Sequence, residues 1–109
     1  MLTVVKTSIF QKIWPAYWTE EERGAFAAYI ADHPEDGDVV PGSGGVRKVR
    51  WSRAGTGKSG GVRVVYFVRT TAGEVVLLLM YAKSKLDTLS ASTLKGLRDG
   101  VEKANARHD

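Results

Sequence analysis

The stretch VRVVYFVRTTAGEVVLLLMY, residues 62–81, decides the architecture of this chain. Its two halves are rich in β-branched and aromatic residues, which suit a pleated, packed surface. Between them TTAGE, residues 70–74, supplies the glycine of a turn. The stretch therefore reads as two strands, 62–69 and 75–81, folded back on each other as a hairpin. Immediately upstream stands AGTGKSGG, and its Gly57-Lys58-Ser59 matches the tail of a phosphate-binding P-loop. That loop requires G-x-x-x-x-G-K-[ST], and its first glycine would fall on Ser52. It also requires a helix after the lysine, whose N-terminus holds the phosphates. Here a strand follows, so Lys58 belongs to a glycine-rich connection over 52–61 and not to a nucleotide site.

Working outward from the hairpin, residues 46–51 form a preceding strand, and 36–45, with PGSGG, a turn-rich passage. Residues 2–6 read as a short opening strand. Ser8 with Gln11 fits a capping box, and Phe10, Ile13, Trp14 and Tyr17 follow at helical spacing until Pro15 limits the helix. Thr19 with Glu22 is a second capping box, opening a helix with Phe26, Tyr29 and Ile30 on one face. Glu20, Glu21 and Glu22 lie in its first turn, where the helix dipole favours negative charge. His33-Pro34 ends it. Thr88 or Ser90 caps a last helix with Leu94, Leu97, Val101 and Ala104 on one side, and residues 103–109 are expected to fray. The order β-α-α-β-β-β-α predicts a single α+β domain over 1–109, a small curved antiparallel sheet with helices packed on one face.

Composition narrows the function. With 109 residues, 43% of them hydrophobic, the chain has material for one modest core. It has no cysteine, which excludes disulfides, thiolate catalysis and cysteine-held zinc. The first residues do not show the pattern of a secretory signal and no apolar run reaches roughly 18–20 residues, so a cytoplasmic protein without membrane contact is expected. The net charge of +4 is unevenly spread: acids stop at Asp38 and resume only at Glu74. Between them lie Arg47, Lys48, Arg50, Arg53, Lys58, Arg63 and Arg69, with Lys83 and Lys85 soon after. A basic stripe of this kind is the footprint of a polyanion partner.

In the strand 46–51, alternation puts Lys48 and Arg50 on one face and Arg47, Val49 and Trp51 on the other. Paired like charges repel, and a bound polyanion relieves the repulsion. If the three strands are sequential neighbours, Arg63, Tyr81 and Lys83 converge with them. Cations for phosphates plus an aromatic ring for stacking is the chemistry of single-stranded nucleic-acid binding.

GSGGVRKVRWSRAGTGKSGGVRVVYFV, followed by VVLLLMYAKSKLDTL, resembles the HigB-type branch of the RelE/ParE toxin superfamily of bacterial toxin–antitoxin systems. The shared elements are G-[ST]-G-G-[LV]-R-K, a G-x-G-K-x-G-G-x-R loop and Y-[AG]-K. The resemblance implies a small curved sheet with helices on its convex side. It implies ribosome-dependent cleavage of messenger RNA, an mRNA interferase that inhibits translation. It also implies a cognate helix-turn-helix antitoxin, with operator DNA bound only through the toxin–antitoxin complex. Carried onto this sequence, the catalytic positions fall on Lys48, Arg50, Arg63 and Lys83. From the basic stripe and its aromatic neighbour, Arg47, Arg53, Lys58, Tyr81 and Lys85 are expected to contact RNA. Two positions depart from the pattern: Ser84 stands where the best-studied relatives carry arginine. The C-terminal catalytic tyrosine would fall near Leu89 or Ser90.

Cleavage by 2′-hydroxyl attack needs proton removal, charge relief at phosphorus and protonation of the leaving oxygen. His33, at a helix end, and His108, in the tail, read as surface residues, and the acids show no ligand-like spacing. No metal or cofactor is therefore expected, and Lys and Arg must serve. Arg50 and Arg63 would stabilise the phosphorane, an effect worth roughly 3–4 kcal/mol per good donor. Lys48, flanked in sequence by Arg47 and Arg50, is a candidate base, with Lys83 or Lys58 as proton donor. Tyr66, Trp14, Tyr17, Trp18 and Trp51 read as core or partner-facing. Two alternatives stay open: a ParE-type gyrase poison acting by binding, and an RNA-binding relative without activity.

Overall fold

The computed structural model describes residues 2–51, 61–82 and 89–107. The hairpin is its centre: β4 (Val62–Arg69) and β5 (Glu74–Ala82) pair antiparallel. A single 3₁₀ turn, Thr70–Ala72, joins them, and Gly73 at φ 66° reverses the chain in a conformation that side chains resist. β3 (Arg47–Trp51) adds antiparallel to β4. The passage read as turn contains β2 (Asp38–Val39), which pairs with β3. β1 (Thr3–Lys6) lies on the far side of β5 and parallel to it, giving the order β1-β5-β4-β3-β2. The sheet is therefore mixed where a wholly antiparallel one was expected. A parallel partner has to be reached by a long connection, and everything from the first helix to β4 lies between β1 and β5.

The helices α1 (Ser8–Ile13), α2 (Glu20–Asp32) and α3 (Ala91–Arg107) complete the α+β fold, but they do not share a face. Phe10, Trp18, Phe26 and Ile30 pack with Val62, Val64, Tyr66, Val75, Leu77 and Met80. Leu94 of α3, with Leu97 and Val101, packs instead with Val65, Phe67, Val76, Leu78, Leu79 and Tyr81. The reason lies in β4 and β5 themselves. Their apolar runs are nearly continuous, so both faces must be kept from water. Each buried Val, Leu or Phe contributes about 1.5–3 kcal/mol, too much to leave one face open.

Residue Val65 faces Leu79 and Tyr66 faces Leu77, so Leu78 is the extra residue of a bulge. Thr7 anchors that bulge. Its Oγ1 accepts from Phe10 N at 3.2 Å, capping α1, and lies 2.9 Å and 3.1 Å from the carbonyl oxygens of Leu77 and Leu78. The cap is thus one residue earlier than Ser8. Thr19 and Glu22 form the reciprocal box at α2, at 3.1 Å and 2.8 Å. Ser90 caps α3, its Oγ accepting from Thr93 N at 3.1 Å. That helix runs to Arg107, and Arg69 holds its late turn through Glu102 at 2.7 Å. Among the described residues, no helix is long and apolar enough to cross a membrane.

Candidate functional site

The register of the strands gathers cations on one face. Arg50 and Arg63 are direct cross-strand partners between β3 and β4, and Lys48 pairs with Val65. Lys48 and Arg50 are two residues apart on one strand, roughly 7 Å along it, with both side chains on the same side. That side is the one α3 covers further along, because Val65 and Tyr81, which pairs with Arg63, belong to the α3 cluster. Where α3 does not reach, an open hollow of about 530 Å³ remains, lined by Asp38, Val39, Val40, Pro41, Lys48, Arg50 and Arg63.

Like charges directly opposite one another on a sheet are destabilising. Arg63 carries a further cost: its Nη1 is buried and has no hydrogen-bond partner. An unsatisfied buried donor costs about 1–3 kcal/mol, more when charged. Such a donor at the wall of a cationic hollow is suited to an anion, and planar guanidinium forks match phosphate oxygens.

The wall opposite β4, Asp38 to Pro41, is held in place by residues on the other side of the sheet. Arg47 pairs with Tyr66 and faces away from Lys48. Its Nη1 donates to Gly37 O at 2.7 Å and Glu35 O at 3.3 Å. The Tyr66 hydroxyl accepts from Gly37 N at 2.9 Å and donates to Pro34 O at 2.8 Å. Burial raises the Tyr66 hydroxyl above its ordinary value, and the Gly37 N–H and the Arg47 charge oppose that rise. Only glycine fits at position 37, since a Cβ there would stand 2.8 Å from the Tyr66 hydroxyl and 2.9 Å from Lys48 O. Gly37 is thus clamped, and Asp38 follows it directly. Further on, buried Ser43 donates to Val40 O at 2.6 Å and accepts from Val46 N at 3.0 Å, fixing the Val40–Pro41 rim.

Of the residues expected to act, the structure brings together Lys48, Arg50 and Arg63. Arg47 is removed from that group by its backbone contacts on the opposite face, so it does not flank Lys48 in space. Tyr81 faces the right way but is 2% exposed among Leu79 and its neighbours, so its ring is no stacking platform. Arg53, Lys58, Lys83 and Lys85 lie outside the described residues. Arg69 is an anchor: it pairs with Glu74 at 2.5 Å and Glu102 at 2.7 Å. Tyr66, fully buried, and Trp18, 4% exposed, are core as expected. His33 caps the end of α2 and packs on Tyr29 with ring centroids 4.5 Å apart. Leu89 packs against the α3 cluster and Ser90 is a helix cap, so neither stands in for a tyrosine. Asp38 and Pro41 were missed. A two-residue strand between Gly37 and Pro41 is too short to show any period.

A mixed five-stranded sheet with two helices on one face and a third on the other is a fold this chain shares with a solved toxin structure. The solved structure of an arginine-to-alanine double variant of the E. coli toxin RelE in the free state superimposes with a TM-score of 0.62, over 89% of this chain and 96% of that one, at 15% identity. No family model matches the chain.

Proposed function

We propose that this chain is the toxin of a type II toxin–antitoxin pair, of the HigB-type branch. It cleaves messenger RNA in the ribosomal decoding site through 2′-hydroxyl attack and is neutralised by a cognate helix-turn-helix antitoxin. One observation carries the proposal: Lys48, Arg50 and Arg63 line a single hollow, with a buried guanidinium nitrogen of Arg63 left unpaired. The RelE-like fold supports it. Arg50 and Arg63 would bear the charge of the phosphorane, and Lys48 and Lys83 would hold and protonate the scissile linkage.

Induced expression tests this. Alanine at Lys48, Arg50, Arg63 or Lys83 should each relieve growth arrest while the protein still accumulates folded, and undiminished arrest in all four would reject the assignment. A gyrase-binding toxin of the ParE type is the second reading. It is favoured by Leu89 and Ser90 standing where the nuclease tyrosine would be, each with a structural duty. Inhibition of supercoiling without transcript cleavage would establish it.

A further inference from the structure

The hollow holds a group that neither the basic stripe nor the toxin pattern points to. Asp38 lies directly across β2–β3 from Lys48, so the two side chains emerge on the same side of the sheet. Both line the hollow with Arg50 and Arg63. Asp38 is the one carboxylate among the described lining residues, and no hydrogen bond or ion pair engages it there. An acid that served only to neutralise the basic stripe would be expected in contact with a cation. An acid placed in a polyanion site without such contact weakens binding, so its use must lie elsewhere. Its position is fixed from behind: Gly37, the preceding residue, is held by the Tyr66 hydroxyl at 2.9 Å and by Arg47 at 2.7 Å.

We propose that Asp38 is the proton acceptor of the cleavage reaction, an inference that rests on the nuclease reading above. Within the described lining the candidates for a base are Lys48 and Asp38. Arginine does not deprotonate, and an ordinary ammonium must first lose its proton, whereas a carboxylate is already ionised at neutral pH. In the step, the Asp38 carboxylate takes the 2′-hydroxyl proton and the 2′-oxygen bonds to phosphorus. The bond from phosphorus to the 5′-oxygen then breaks, and that oxygen receives a proton from the Lys48 ammonium. The products are a 2′,3′-cyclic phosphate and a 5′-hydroxyl end. Exchange with water returns one proton to Lys48 and removes one from Asp38, so the cycle closes without an added reagent.

The test is single-turnover cleavage by the purified full chain on ribosomes programmed with a defined message, alongside the affinity for those ribosomes. Asp38→Asn preserves shape and removes a negative charge. It should bind at least as tightly as the parent protein yet cleave roughly 10²–10⁴-fold more slowly, the usual range for a lost general base. Asp38→Glu should retain more activity than Asp38→Asn, and added formate should accelerate Asp38→Ala. Matching thermal melts confirm that the variants are folded. Asp38→Asn cleaving within threefold of the parent, or Asp38→Ala indifferent to formate, overturns the assignment while leaving the nuclease reading intact. A parent protein that makes no new RNA ends overturns both.

Discussion

Arg63 shows at a single residue how function and stability pull apart. It stands opposite Arg50, and its Nη1 is buried without a partner. Both features cost stability, and both are relieved by a bound phosphate. Arg63→Met keeps the apolar stem and removes the charge. We expect it to raise stability by about 1 kcal/mol, or roughly 4 °C in melting temperature, while abolishing cleavage. A loss of stability would show that the guanidinium is structurally satisfied. Tyr66 is the opposite case, a buried hydroxyl with both partners in place. Tyr66→Phe should cost about 1–3 kcal/mol in denaturant unfolding, because Gly37 N is left without its acceptor. Burial holds the Tyr66 hydroxyl above its ordinary value near 10.0, so the folded state keeps a proton that the unfolded state gives up. Its contribution is therefore complete below about pH 10 and declines as pH rises towards the folded value. Tyr66→Phe should flatten that alkaline loss, and an unchanged alkaline slope would contradict it.

At the scale of elements, α3 depends on what it docks against. Gly96 and Gly100 lie within it, and a Cβ at either would meet nothing within 4 Å. Each change to alanine should therefore stabilise by up to about 1 kcal/mol, seen as a higher denaturation midpoint with unchanged slope. Arg69 ties the end of the β4–β5 hairpin to this helix through Glu74 and Glu102 while only 14% exposed. Glu102→Ala should cost about 1–3 kcal/mol, with amide exchange accelerated first in the last turns of α3. Much at this scale was legible in the sequence. The Thr19–Glu22 box, the Pro15 break and the Gly73 turn are written in adjacent residues, and local chemistry enforces them. The cap at Thr7 was not, because its hydroxyl is also committed to carbonyls seventy residues away. The parallel pairing of β1 with β5 and the two-residue β2 exist only through tertiary contact. The division of the helices could have been anticipated, since runs such as VVYFV and VVLLLMY have no polar alternation to leave a face wet.

For the whole molecule, the sheet acts as a partition. Aromatic side chains of α1, α2 and β3 build the core on one side, where Phe26 and Trp51 meet at 5.2 Å. On the other side α3 covers part of the sheet and leaves the rest to Lys48, Arg50, Arg63 and Asp38. The cations of this site were legible as alternation in one strand plus the start of the next. Its acid and its walls were not, because they come from a segment whose sequence reads as turn. Arg47 illustrates the limit: charge alone placed it with RNA, whereas neighbouring carbonyls claimed it.

The central claim is that this hollow is where a message is cut. The most direct measurement is mapping of 5′ ends on ribosome-bound transcripts after incubation with the parent protein and with a Lys48→Ala, Arg50→Ala, Arg63→Ala variant. New ends are expected at codons in the decoding site for the parent and none for a folded triple variant. Equal ends from both proteins, or none from the parent, would contradict it.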